Sequence, residues 1–286
     1  MRKMNINTVF LSVLLILLPL SGCLEDMSSR TEVAEDGTEQ CWAILQTNTT
    51  MEHEEEWMRE GHSSTTTFTY DENCNMVSSI TWDGAGYGGF VNITYNDANQ
   101  PVLMESTWGE WNTTTSTIEG DVYRVTTAYV YENGLLMQLH TYYEVGEDEY
   151  WNYTYDAQGR EVLVESTYET TESFYDANGR LSTTKRSDPW GTVFLTNYTY
   201  DADGILIQEI EIRGDSDEWE DEPKYTNHTI VDGLRTSTTY SYYDGYFTYT
   251  YNDKGDLVSE TDYWGSDYPD GTSSTVTNHW GYADLD

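Results

Sequence analysis

One short pattern recurs along this chain and limits what it can fold into. The stretches YDAQGREV, YDANGRL, YDADGIL and YNDKGDL each open on Tyr155, Tyr175, Tyr200 or Tyr251, and place Gly159, Gly179, Gly204 or Gly255 four residues later. An Asp or Asn opens such a turn by bonding its own backbone, and the glycine supplies the left-handed residue that closes it. Tyr70-Asp71 and Tyr95-Asn96 open further units, with Asn99 standing at the glycine place of the second. Asn tolerates that conformation better than most residues do. Tyr131-Glu132-Asn133-Gly134 is a shortened unit with an Asn-Gly hairpin turn, and Val231-Asp232-Gly233 a more degenerate one. Between the turns, segments such as Val122–Tyr131 have the β-branched and aromatic bias of strands. Alternation sets the aromatic pairs Phe68/Tyr70, Tyr129/Tyr131, Tyr153/Tyr155, Tyr198/Tyr200 and Tyr249/Tyr251 each on one face, where neighbouring hairpins can align them as cross-strand ladders. No stretch has convincing helical periodicity; Met51–Glu60 reads as an acidic loop or a single turn. The predicted fold class is all-β, an antiparallel meander of repeated β-hairpins over residues 41–286.

The unit YDANGRL at 175–181, preceded by aromatic alternation, resembles the YD repeat of the RHS (rearrangement hotspot) family. The likeness extends loosely over residues 65–260. It implies a long ribbon of antiparallel hairpins of the kind that coils into shells or forms extracellular adhesion scaffolds. The chain is much shorter than such proteins and shows no cargo or autoproteolytic segment, so the expectation is a curled sheet or partial ribbon.

Ahead of the repeats, Met1-Arg2-Lys3 gives a basic start and Val9–Leu20 an apolar run. A basic start, a short apolar stretch and a small-residue exit describe a secretory signal, whereas a spanning helix needs about 20 apolar residues. The tetrapeptide Leu20-Ser21-Gly22-Cys23 that follows resembles the lipobox of prokaryotic lipoproteins. The resemblance implies cleavage after residue 22 and a thioether-linked lipid on Cys23, anchoring the chain to the outer side of a cell membrane, extracellular or periplasmic. Two acyl chains hold a protein stably where one holds it marginally. Residues 23–40 are then expected to be the lipidated Cys and an acidic, disordered tether.

With Cys23 lipidated, Cys41 and Cys74 remain, and an exported even pair favours a disulfide. The net charge of −38 excludes nucleic acid and anionic membrane surfaces as partners, since both need basic patches. Tyr (25) and Trp (10) outnumber Phe (6), which favours a sheet packed on one side and wet on the other over a thick aliphatic core. A membrane-spanning barrel is disfavoured, because a lipid-facing band needs more aliphatic residues than these strands offer.

Six Asn-x-Ser/Thr sequons, at Asn48, Asn92, Asn112, Asn152, Asn197 and Asn227, are candidate glycosylation sites. Trp recurs beside Gly at the far hairpin ends, and Trp108, Trp190 and Trp264 are the candidate ligand-binding aromatics. The acidic runs Glu52–Glu56, Glu147–Glu149 and Asp215–Glu222 are the candidate calcium ligands, although a solvated face is the ordinary role of such runs and no cofactor is expected. The five histidines show no paired spacing, and no G-x-S-x-G, P-loop or dinucleotide fingerprint occurs, so no catalytic residue is named and no enzyme is expected. These features point to a lipid-anchored surface scaffold for binding or adhesion, with a glycan or protein as partner. A purely structural envelope protein is the alternative, and an extracellular hydrolase the third class.

Overall fold

The computed structural model describes residues 29–33, 39–52, 63–213, 223–241, 245–263 and 273–283. Among them are nineteen strands and no helix, from β1 (Ser29–Val33) and β2 (Glu39–Glu52) to β19 (Ser273–Tyr282). Each strand from β2 onward pairs antiparallel with the next, giving the meander of hairpins that the turn pattern predicts. The curled sheet then goes all the way round. β19 pairs with β2, from Ser273 opposite Glu52 to Tyr282 opposite Trp42, so the strands β2 to β19 form a closed barrel. Residues 29–33, expected to belong to the disordered tether, form β1 instead. It lies along the first residues of β2, on the edge that β3 (Ser64–Tyr70) takes farther on.

The turns explain the curvature. At Asp71, Asn96, Asp156, Asp176, Asp201 and Asn252, the side-chain Oδ1 accepts the N–H groups two and four residues on. The residue three positions on has positive φ: Gly159, Gly179, Gly204 and Gly255 at 77° to 86°, with Asn99 at 57° and Cys74 at 64° in the same place. Immediately beyond each turn the pairing skips a residue, as between Thr69 and Tyr70 or Thr199 and Tyr200. A bulge of this kind bends its strand and increases the local twist. All these turns lie on one rim of the barrel, so the bends accumulate in one direction and bring the last strand to the first. We call this the turn rim and the opposite one the open rim.

The turn tyrosines tie neighbouring hairpins together. The hydroxyl of Tyr95 donates to the carbonyl of Met76, and those of Tyr155, Tyr175, Tyr200 and Tyr251 donate to Leu136, Glu161, Leu181 and Arg235. Each accepting carbonyl sits just past the preceding turn. Arg160 and Arg180 add a cation–π contact over Tyr175 and Tyr200, at 4.5 and 4.8 Å from the ring centroids, while pairing with Asp156 and Asp176 of their own turns.

Register places the turn tyrosines and their alternate neighbours on the face that a closed sheet crowds, the inner wall. Burial there is concentrated in the first half of the ring, where Val91, Ile93, Met104, Trp108, Val125 and Leu139 form the inner core. Cys41 and Cys74 are bonded, with Cα atoms 5.4 Å apart, and join the start of β2 to the first turn. At the closing seam, Lys254 lies over the Trp42 ring and pairs with Glu32 of β1, while the Trp42 indole N–H donates to Asp256.

Candidate functional site

The barrel offers three surfaces: an inner wall, an outer wall and an open rim.

On the inner wall, β14 (Leu206–Arg213), β15 (Lys224–Val231) and β16 (Leu234–Tyr240) bring together Glu209, His228 and Thr238. The imidazole Nε2 lies 3.0 Å from Glu209 Oε1 and Nδ1 lies 3.0 Å from the Thr238 hydroxyl. A hydroxyl, an imidazole and a carboxylate in a row is the order of a nucleophile, base and orienting acid. Thr238, however, is only 2% exposed, so its hydroxyl has no face open to a substrate. The row is a satisfied polar network spanning three strands. Nearby on the same wall, burial raises the Glu260 carboxyl above its ordinary pKa, Asp262 pushing the same way and Arg235 opposing both. Burial likewise raises Glu161. No regular spacing of histidines marked His228, because its partners come from strands 19 residues before it and 10 after it.

The outer wall carries Asn48, Asn92, Asn152, Asn197 and Asn227, since each sits an odd number of residues from an inner-wall position in its strand. Around them are other polar side chains: Gln138 and Gln208, which bond Asn152 and Asn227, and Thr183, which bonds Asn197. Asn112 lies at the open rim, where its Oδ1 accepts the N–H groups of Thr114 and Thr115.

The three candidate tryptophans part company. Trp108 is not at a hairpin end: it is 5% exposed, inside β6 (Pro101–Asn112), with its ring lying on Gly89. A Cβ at Gly89 would meet that ring at 2.4 Å, so the glycine is what admits it. A buried ring cannot meet a ligand from solution, and the binding role expected for Trp108 is corrected to one in packing. Trp190, by contrast, is 84% exposed. It caps an open-rim turn in which Asp188 Oδ1 accepts the N–H groups of Trp190 and Thr192, the device used on the other rim. Trp264 lies outside the described residues.

Trp190 has company that the spacing of Trp and Gly did not reveal. Tyr142, Tyr150, Tyr225, Tyr246 and Tyr263 are all exposed on the outer face at the open-rim ends of their strands, and Tyr168 is exposed in an open-rim turn. Tyr246 and Tyr263 stack, with centroids 4.7 Å apart. Of the exposed tyrosines, Tyr282 alone lies at the turn rim among the described residues.

Among the described residues, no group of three or more His, Cys, Asp or Glu side chains is placed to hold a metal. Glu149 of the acidic run 147–149 accepts from the Tyr143 hydroxyl, and Asp148 lies 3.7 Å from His140. The candidate calcium positions 53–56 and 215–222 fall outside the described residues. No helix among the described residues is long and apolar enough to cross a membrane.

No protein-family model matches the chain, and no curated protein matches it. Among solved structures, it is similar to a porin-like protein from Bacteroides uniformis ATCC 8492. That likeness has 12% identity and a TM-score of 0.46, and covers 83% of this chain and 96% of the other. A second likeness is to the Photorhabdus luminescens Tc holotoxin pore, at 12% identity and a TM-score of 0.23, covering 83% of this chain and 17% of that one. The closed ring of strands rests on this chain's own pairing.

Proposed function

We propose that the protein is a lipid-anchored scaffold of the cell surface that stands on the membrane by its turn rim and binds an uncharged glycan with its open rim. The observation that carries this reading is the uneven distribution of exposed rings among the described residues: Trp190 and six tyrosines at the open rim, against Phe174 and Tyr282 at the turn rim. Aromatic rings with a polar tip suit a surface that is both packed and wet, and sugars present flat C–H faces to them. A net charge of −38 favours an uncharged polymer over an anionic one.

The orientation follows from the tether. Ser29 pairs with Ala43, beside the disulfide that joins β2 to the first turn. The step from Cys23 to Ser29 spans roughly 20 Å at full extension, so a lipid on Cys23 holds the turn rim toward the membrane. The barrel itself does not serve as the anchor. Spanning strands need about 9–11 residues, and β10 (Glu161–Ser166), β11 (Thr170–Tyr175) and β17 (Tyr246–Tyr251) have six each. Asn, Thr and Gln on the outer wall are unsuited to lipid contact as well.

Two experiments test the reading. Cys23→Ser should release the protein from membranes or leave the signal uncleaved; a variant still cleaved and membrane-bound would overturn the anchor. In a glycan screen, Trp190→Ala should weaken binding about tenfold, or ~1.4 kcal/mol, at unchanged melting temperature. If no glycan binds and the substitution lowers the melting temperature, the rings are structural and the protein is an envelope component without a ligand.

A further inference from the structure

The six sequons differ in what holds each amide. At Asn152, Asn197 and Asn227, the carbonyl Oδ1 is taken by a cross-strand donor: Gln138 Nε2 at 2.8 Å, the Thr183 hydroxyl at 3.1 Å and Gln208 Nε2 at 2.7 Å. With Oδ1 held against the wall, Nδ2 makes no hydrogen bond among the described residues in any of the three. Asn92 is exposed and its side chain makes none either. The hydroxyl residue two places on shares the outer face in every case, and Thr94, Thr154, Thr199 and Thr229 are all exposed. Asn48 and Asn112 are different. Asn48 shares its intermediate burial with Asn152, and what sets it apart is its Nδ2, 2.8 Å from His279 Nε2, with its Oδ1 accepting from Gln46 and the Thr50 hydroxyl turned to the Thr275 carbonyl. Asn112 Nδ2 donates to Glu119 Oε1 at 2.7 Å.

We propose that Asn92, Asn152, Asn197 and Asn227 are acceptors of N-linked oligosaccharide, and that Asn48 and Asn112 are not. The sugar donor is a lipid-phosphate-linked oligosaccharide, met on the outer side of the membrane. Nδ2 attacks the anomeric carbon, the C–N bond forms as the C–O bond to phosphate breaks, the lipid phosphate leaves with the electron pair, and the amide proton passes to a base of the transferase. The first sugar then projects from the outer wall without displacing a side chain, whereas at Asn48 and Asn112 its place is occupied by His279 and Glu119. The inference rests on the export reading and not on the glycan-binding one.

The test is peptide mass mapping of the full chain, extracted with detergent from the membranes of its native host, together with cell fractionation. Hexose-bearing peptides should appear at Asn92, Asn152, Asn197 and Asn227, with Asn48 and Asn112 recovered unmodified. Thr154→Ala and Thr199→Ala, which leave the asparagines in place, should each abolish modification at one site and lower the intact mass by one oligosaccharide. Exported protein that is unmodified at all six, or modified at Asn48 or Asn112 in preference, overturns the inference while leaving export intact. Protein retained in the cytoplasm overturns both.

Discussion

Gly89 and Glu260 show how much one position on the inner wall can decide. At Gly89, the ring of Trp108 occupies the space where any other residue would carry its Cβ, and Gly88 beside it lies against Trp111 on the outer face. Trp111 stacks there on Trp82, with centroids 6.4 Å apart. Gly89→Ala is therefore an overpacking change that costs about 1–3 kcal/mol, measurable as a lowered denaturation midpoint. Glu260 behaves oppositely. Burial raises its pKa, so the folded chain holds this proton more tightly than the unfolded chain does. Its contribution to stability is full below the ordinary carboxylate range and is lost as pH rises through the folded value. Glu260→Gln should accordingly raise the melting temperature at pH 7 and leave it little changed near pH 3.5. A variant equally stabilised at both values would show that the carboxyl's charge is not the cause. Asp156 has the other sign: the side-chain hydrogen bond from Arg160 is the main cause of its lowered pKa, so its support is present at neutral pH and lost on acidification below the ordinary Asp range.

The repeated element is the turn together with the tyrosine that ties it to its neighbour. Tyr200→Phe removes the hydrogen bond to the Leu181 carbonyl and costs about 1 kcal/mol, with the ring and its contact to Arg180 kept. The same turn explains an odd placement. Cys74 stands where the other units have glycine, at a φ of 64° that an ordinary side chain adopts at a cost of about 1–2 kcal/mol. The disulfide it makes with Cys41 closes a span of 33 residues, worth roughly 3–4 kcal/mol by the chain-entropy account. Cys41→Ala loses that contribution with no polar group added at a buried position, while Cys74→Gly loses it and relieves the turn. Chemical denaturation should rank Cys74→Gly as the more stable of the two; the reverse order would mean that the turn carries no strain.

For the molecule as a whole, polarity between the rims matters more than the ring's closure. The tyrosine ties and the disulfide gather at the turn rim, where Ser29 of β1 pairs with Ala43. Most of the exposed rings gather at the other, Phe174 and Tyr282 being the exceptions among the described residues. On the function we propose, a scaffold fastened at one end and presenting aromatic side chains at the other needs no cavity to bind a polymer. The separation also sets apart the effects of substitution. Changes at the turn rim should act on stability, and changes at Trp190 or Tyr246 on binding, which a melting curve and a binding isotherm on the same variants distinguish.

Much of this architecture was legible in the sequence because it is local. An Asp or Asn that bonds the N–H groups two and four residues on, a left-handed residue three on and a side-chain period of two are all written within ten residues, and they determined the strands, the turns and the face on which each turn tyrosine sits. The even count of thiols after Cys23 likewise pointed to the Cys41–Cys74 bond. Closure was beyond such reading. It depends on bends summed over many bulges and on pairing between Thr47 and Asn278, whose side chains also bond, and no local pattern records that sum. The same holds for Trp108, which looked like a rim residue until Gly89, on the neighbouring strand, gave its ring a place inside. His228 had no partner at any regular spacing, since strand pairing alone brings Glu209 and Thr238 to its two nitrogens. Tertiary structure decided these features because burial and partnership on a closed sheet follow from which strands become neighbours.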